Sequence, residues 1–160
     1  MVDPDALTEN LPEVLRPPVS RNVELLLDSR IPARVAWVSP SRAPQVVPIW
    51  FQWTGAQLVT TTFAGARKLT EISSGATVAV SIDTESFPYR VLRMAGPVEL
   101  VAVDDLSDEY RLAATRYLGP TAGEAWCTSL EARPQVAMRL SPTRAVASDM
   151  SRSTFLADHS

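Results

Sequence analysis

The chain has 160 residues and 17.5 kDa, 46% apolar and 21% charged, which suits one globular domain able to bury its own core. A formal net charge of −3 and a pI near 5.2 leave no broad basic surface of the kind nucleic acid requires, and no apolar run approaches the roughly 20 residues that span a bilayer. A single cysteine, Cys127, excludes an intrachain disulfide and any multi-thiolate metal site, and a single histidine, His159 beside the last residue, leaves histidine-based triads without a fixed base. The acidic first ten residues lack the cationic-then-apolar order of a leader, so a cytoplasmic protein that engages neither nucleic acid nor membrane is expected.

Residues 1–19 carry Pro4, Pro12, Pro17 and Pro18 among scattered charges and read as an N-terminal arm with at most one helical turn. Ser20 can cap a short helix over 20–29 that presents Val23, Leu26 and Leu27 and stops before Pro32. From residue 34 the pattern turns to strands. A first strand runs over 34–38, and a second, 45–53, alternates Val47, Ile49, Phe51 and Trp53 against Val46, Pro48, Trp50 and Gln52, so both faces are expected to be covered. Pro48 cannot donate to a ladder, which implies an edge, a bulge or a non-strand neighbour such as a flat ligand.

A hairpin turn at Gly55 leads to a returning strand over 57–62 that ends in Thr60, Thr61 and Thr62. A helix over 65–74 then begins at Gly65 with Arg67 and Lys68 in its first turn. Hydroxyls at a strand end, two cations and helix N-terminal amides together suit a phosphate, so a phosphorylated cofactor is the first functional expectation.

Strands follow at 76–82 and, beyond Pro88, at about 89–102, where Gly96 and Pro97 mark a bulge or bend that would let a sheet curl. Asp104 or Asp105 can cap a helix whose stripe is Leu106, Tyr110, Ala113 and Tyr117, stopped by Gly119 and Pro120. Thr121 and Glu124 have capping-box spacing for a further helix carrying Trp126, Cys127 and Leu130 and ending by about 132. A last strand alternates Val136, Met138 and Leu140 and can continue after Pro142 through Ser148. Short helices inserted among about six hairpin-ordered strands predict a mainly β, α+β domain built as a small antiparallel barrel over 20–150, with a tail over 151–160.

The order Val-Val-Pro-Ile-Trp-Phe, a Trp-x-Gly hairpin, Thr-Thr-Thr before Gly-Ala-Arg-Lys, Tyr89-Arg90-Val91 leading to Gly96, and a helical Tyr-Arg-Leu-Ala-Ala-Thr-Arg-Tyr-Leu-Gly over 110–119 resembles one family. That family is the FMN-binding split β-barrels related to pyridoxamine 5'-phosphate oxidase, which include deazaflavin-dependent reductases. The resemblance implies a homodimer with the cofactor at the subunit interface. It also implies a phosphate held by Thr60, Thr61, Thr62, Arg67 and Lys68, and an isoalloxazine lying along Val47, Pro48, Ile49 and Trp50. The expected function is an FMN-binding oxidoreductase passing hydride or electrons to or from a small substrate, with the chemistry carried by the cofactor. Coenzyme F420 is the alternative to FMN, with Arg34, Arg42, Arg90 and Arg93 as candidates for its acidic tail. A non-catalytic flavin- or haem-binding protein is the rival of another class. One departure is visible: many relatives have Ser-Trp-Asp where this chain has Ala147-Ser148-Asp149.

Overall fold

The computed structural model describes residues 10–130 and 133–152. Among them are eight strands: β1 (Ala33–Val38), β2 (Pro44–Ile49), β3 (Gln52–Trp53), β4 (Leu58–Phe63), β5 (Thr77–Asp83), β6 (Arg90–Val103), β7 (Gln135–Leu140) and β8 (Arg144–Asp149). Four α-helices accompany them: α1 (Arg21–Leu27), α2 (Lys68–Glu71), α3 (Asp108–Leu118) and α4 (Pro120–Leu130). The strands form one antiparallel sheet in the order β2-β1-β5-β6-β7-β4-β3, with β8 also paired to β6. The mainly β, α+β architecture expected from the sequence is therefore the one observed.

The expected strand over 45–53 is broken. Trp50 and Phe51 lie outside any strand, β2 pairs with β1, and β3 pairs with β4 at the far end of the sheet. The two edge strands are thus consecutive in sequence, and the sheet curls shut through a two-residue kink instead of through a hydrogen-bonded seam. Period-2 alternation continues through residue 53, so nothing in the pattern marks the break. Tertiary contacts impose it: Phe51 is fully buried, and Arg116 on α3 donates hydrogen bonds to the carbonyls of Phe51 and, at 3.2 Å, Leu27. The Arg116 guanidinium lies 4.7 Å from the Phe51 ring centroid, and Tyr117 donates to the Ile31 carbonyl at 3.0 Å. The last turn of α3 clamps the kink.

β6 is the spine. Residues 91–97 pair with β5 on one edge, while the other edge pairs with β8 over 90–95 and then with β7 over 98–103. The connection from β7 to β8 crosses at Gly96, where Ser141 donates its backbone N–H to the Pro97 carbonyl and Thr143 donates to Ala95. A Cβ on Gly96 would stand 2.0 Å from the Ser141 carbonyl oxygen. The glycine expected to mark a bend is thus a crossing point between two strands.

The inner face holds one main core that includes Val35, Trp37, Phe51, Ile82, Leu92, Met94 and Leu140. Leu11 and Leu15, 2% and 1% exposed, belong to it, so the segment over 10–19 packs into the body, around a 3₁₀ turn at Glu13–Leu15. Its prolines hide this from a periodicity search. A second, smaller core of Leu106, Ala114, Cys127 and Leu130 joins α3 to α4. Those helices approach closely because Gly123 has no side chain; a Cβ there would meet the Ala114 carbonyl at 2.9 Å.

Three helix boundaries differ from expectation. The helix expected over 65–74 is a single turn, Lys68–Glu71, because Ile72 is drawn into the core in an extended conformation. Ser107, not Asp104 or Asp105, caps α3, its hydroxyl accepting from the Tyr110 N–H. Thr121 and Glu124 lie inside α4, which starts at Pro120 directly after Gly119 turns the chain with φ 88°. Ser20 caps α1 as expected. His159 and the end of the tail lie outside the described residues.

Candidate functional site

Two adjoining clefts lie on the side of the sheet covered by α3 and α4. The larger, about 370 Å³, is lined by Pro32, Pro48, Ile49, Trp50, Thr61, Tyr110 and Trp126. The smaller, about 160 Å³, is lined by Ile49, Thr61, Thr62, Phe63, Lys68, Tyr110 and Gln135. Ile49, Thr61 and Tyr110 are common walls, so the two form a continuous path.

The larger cleft is aromatic. Trp50 stacks on Tyr117 at 5.0 Å with an 8° interplanar angle, and Trp126 meets it edge-on at 6.2 Å. Trp126 donates its indole N–H to the Tyr110 hydroxyl at 3.0 Å, which fixes two rings of the wall relative to each other. Pro48 sits on β2, an edge strand, so the absence of an N–H there costs no ladder bond. The kink places Trp50 just beyond the end of β2, with its side chain under α3.

Polar groups gather at the smaller cleft. Thr61 and Gln135 are 7% and 3% exposed, and they share the face of β4 and β7 that α3 covers; farther along, Arg139 pairs with Glu109 of α3 at 2.9 Å. The Gln135 Oε1 is buried without a hydrogen-bond partner. Burial pushes the Lys68 ammonium below its ordinary pKa, and among the described residues no carboxylate pairs with it. An unfolded chain therefore holds this proton more tightly than the folded one. The associated cost to folding is in force below the folded pKa and is relieved as pH rises from there past the unfolded value of 10.5. We expect Lys68→Met to leave the melting temperature of the ligand-free protein unchanged or higher at neutral pH, measured by calorimetry; a fall of several degrees would show a structural role.

The residues singled out from sequence separate into three places. Pro48, Ile49, Trp50, Thr61, Thr62 and Lys68 line the joined clefts. Val47 and Arg67 line a neighbouring concavity of about 240 Å³, which Lys68 also borders. There Arg67, its side chain 86% exposed, pairs with Glu71 at 3.1 Å, and Glu71 in turn accepts from the Trp37 indole at 3.0 Å. Thr60 turns toward the barrel interior opposite Met138, with its Oγ1 buried and unpaired. Since α2 has one turn, no helix dipole of consequence supports an anion, and Lys68 is the cation that faces the clefts. Tyr110, Trp126, Gln135, Phe63 and Pro32 complete the walls and are not among the site residues expected from sequence. The stripe containing Tyr110 was legible in sequence, but which cleft it faces depends on where α3 docks.

No protein-family model matches the chain, and no curated protein sequence does. Solved structures do. A conserved hypothetical protein from Mycobacterium tuberculosis superposes with a TM-score of 0.63 at 16% identity, covering 82% of this chain and 86% of that one. The chain has the split-barrel fold. A structure described as an F420 reductase is similar to this split barrel at 28% identity and a TM-score of 0.58, covering 77% of this chain and 94% of that one. An FAD-binding protein from Mycobacterium smegmatis follows at 16% identity and a TM-score of 0.52, covering 82% and 97%. Among the described residues no helix is long and apolar enough to cross a membrane, and no group of acidic, cysteine or histidine side chains could hold a metal ion.

Proposed function

We propose that this split barrel binds a phosphorylated flavin in the joined clefts and acts as an oxidoreductase on a small substrate. The observation that carries the reading is Lys68, a half-buried ammonium without an internal counter-charge, at a cleft that Thr61 and Thr62 also line and that is continuous with an aromatic cleft. These residues fit such a ligand. Lys68 neutralises the phosphate, Thr61 and Thr62 donate to its oxygens, and Pro48, Ile49 and Trp50 give a planar ring an apolar edge to lie against. Trp126 and Tyr110 complete its aromatic lining. The bound cofactor supplies the hydride or electron transfer. Neither Cys127, buried between α3 and α4, nor any other nucleophile is needed for it.

FMN is the cofactor of the main reading, and coenzyme F420 is the second. The 28% identity to an F420 reductase favours the latter. Of the four arginines considered for its acidic tail, Arg34 pairs with Asp83 at 2.8 Å and Arg90 with Asp149 at 3.9 Å, which leaves Arg42 and Arg93 better placed to take external carboxylates. Titrating the ligand-free protein with FMN and with F420, each followed by anaerobic reduction, tests the reading. Tight binding of one, with reversible reduction, is expected. Failure to bind either would end it.

A homodimer is part of the same proposal. The outer face of β2, β1, β5 and β6 presents Val46, Ala36, Ala79 and Ala95 side by side, with Arg144 of β8 ending that row and Val146 beside Arg93 in the next; Val46 is 62% and Val146 53% exposed. Pro48 lies on this face too, which brings the cleft to its margin. A second copy covering the face would remove Val46, Val146 and the alanines between them from water, with Arg93 and Arg144 on the same face left to find polar partners across the interface. Sedimentation should show a dimer at micromolar concentration, and Val46→Glu should shift it to monomer; a wild-type monomer with cofactor bound contradicts the assignment.

A further inference from the structure

We infer that the Tyr110 hydroxyl donates to the acceptor edge of the bound ring, beside the point where its chain leaves, and so favours the reduced ring over the oxidised one; this rests on the flavin reading above. Tyr110 is one of three residues common to the two clefts, so it stands where a ligand passes from one to the other. Its hydroxyl oxygen accepts the Trp126 indole N–H at 3.0 Å. An indole can only donate, which makes the Tyr110 oxygen the acceptor of that bond and leaves its own proton for a different partner. Among the described residues nothing takes that proton. Burial holds the phenol above its ordinary pKa against the opposing pull of the Trp126 bond, so the proton stays on the oxygen at neutral pH.

Position selects the acceptor. Trp126 lines the larger cleft and not the smaller, whereas Lys68 lines the smaller and not the larger. The hydroxyl that meets Trp126 therefore belongs to the ring end of the path, and the phosphate to the other end. The bond between them lies at an exposed part of the wall, and Trp126 is 42% exposed, so the hydroxyl is not sealed away from a ligand. In a flavin the chain is carried on N10. To one side of N10 lies the benzenoid ring, which offers only C–H groups; to the other lies the N1 and C2=O edge, which offers two acceptors and which a deazaflavin keeps. A donor at the exit of the chain has that edge as its target on the ring. Two-electron reduction places negative charge there, and a hydrogen bond to a charged acceptor is the stronger one.

The test compares ligands that differ by one part and reads the potential as well as the affinity. Dissociation constants are measured for FMN, riboflavin and lumiflavin, whose N10 carries only a methyl group, together with the two-electron midpoint potential of bound FMN against a reference dye. The proteins are wild type, Tyr110→Phe and Trp126→Phe. Tyr110→Phe keeps the aromatic wall and removes one O–H. We expect it to weaken the three oxidised ligands alike by about three- to tenfold, and reduced FMN by about tenfold more, which for a two-electron couple lowers the potential by about 30 mV. Trp126→Phe keeps the donor, so the ratio of reduced to oxidised affinity should stay within about twofold of wild type. If the wild type prefers F420, the same pattern is expected for F420 and its dephosphorylated core.

A loss confined to FMN would put the hydroxyl at the phosphate, and a loss confined to FMN and riboflavin would put it on the chain. Equal weakening of oxidised and reduced FMN, with the potential unmoved, would make Tyr110 a packing residue, as would a Trp126→Phe shift as large as that of Tyr110→Phe. Each of these overturns the inference, and so does unchanged binding in a folded Tyr110→Phe protein. A wild type that binds none of these ligands fails the flavin reading itself, and the inference falls with it.

Discussion

Replacing Lys68 with alanine is expected to weaken FMN or F420 binding by roughly ten- to a hundredfold while the chain remains folded. Charge-assisted hydrogen bonds to a phosphate contribute about 1.5–3 kcal/mol, more where water is excluded, and Lys68 is partly desolvated before any ligand arrives. Arg67 lines the neighbouring concavity and not the joined clefts, so Lys68 is the nearer cation to the assigned phosphate. Riboflavin, which lacks the phosphate, should bind less tightly than FMN and be nearly insensitive to the substitution. The pH dependence has a definite sign. As pH rises through the lowered Lys68 pKa the ammonium loses its proton, so FMN affinity should fall on the alkaline side, and that slope should vanish in Lys68→Ala. Isothermal titration across pH separates these outcomes, and an unchanged dissociation constant in a folded variant rejects the phosphate assignment.

Gly96→Ala is expected to be the most damaging single-methyl change in the chain, costing about 3 kcal/mol or more, or preventing folding altogether. The added Cβ would sit 2.0 Å from the Ser141 carbonyl oxygen and 2.9 Å from its carbon, and both are backbone atoms that no rotamer change can move. Relief requires the β7–β8 connection to lift from β6, which would break the Ser141-to-Pro97 and Thr143-to-Ala95 hydrogen bonds that anchor it. Gly65→Ala is the matched control. It has nothing within 4 Å of the added Cβ, and its effect should stay within about 0.5 kcal/mol. Chemical denaturation of the two variants measures the difference, and similar midpoints for both would show that the crossing at Gly96 is looser than described.

Much of this protein was written locally. Ser20 capping α1, Gly119 ending α3, and the alternation of Val136, Met138 and Leu140 are choices made within a few residues, so the sequence shows them. The missing N–H of Pro48 allowed an edge, a bulge or a non-strand neighbour, and the sheet order makes it an edge. Other features were decided only by the tertiary structure. The break at Trp50 and Phe51 depends on Arg116 and Tyr117, more than sixty residues away, because an unbroken alternating strand and two edge strands joined by a kink share one hydrophobic pattern. The helix over 65–74 shrinks to one turn because the core takes Ile72, a demand local propensity cannot express. Composition placed Arg67 and Lys68 together, but Glu71 and Trp37 separate their roles. Gln135 reads as an ordinary strand-opening polar residue until β4 and α3 bury it beside Lys68, since an unpaired buried oxygen exists only once the chain has folded around it.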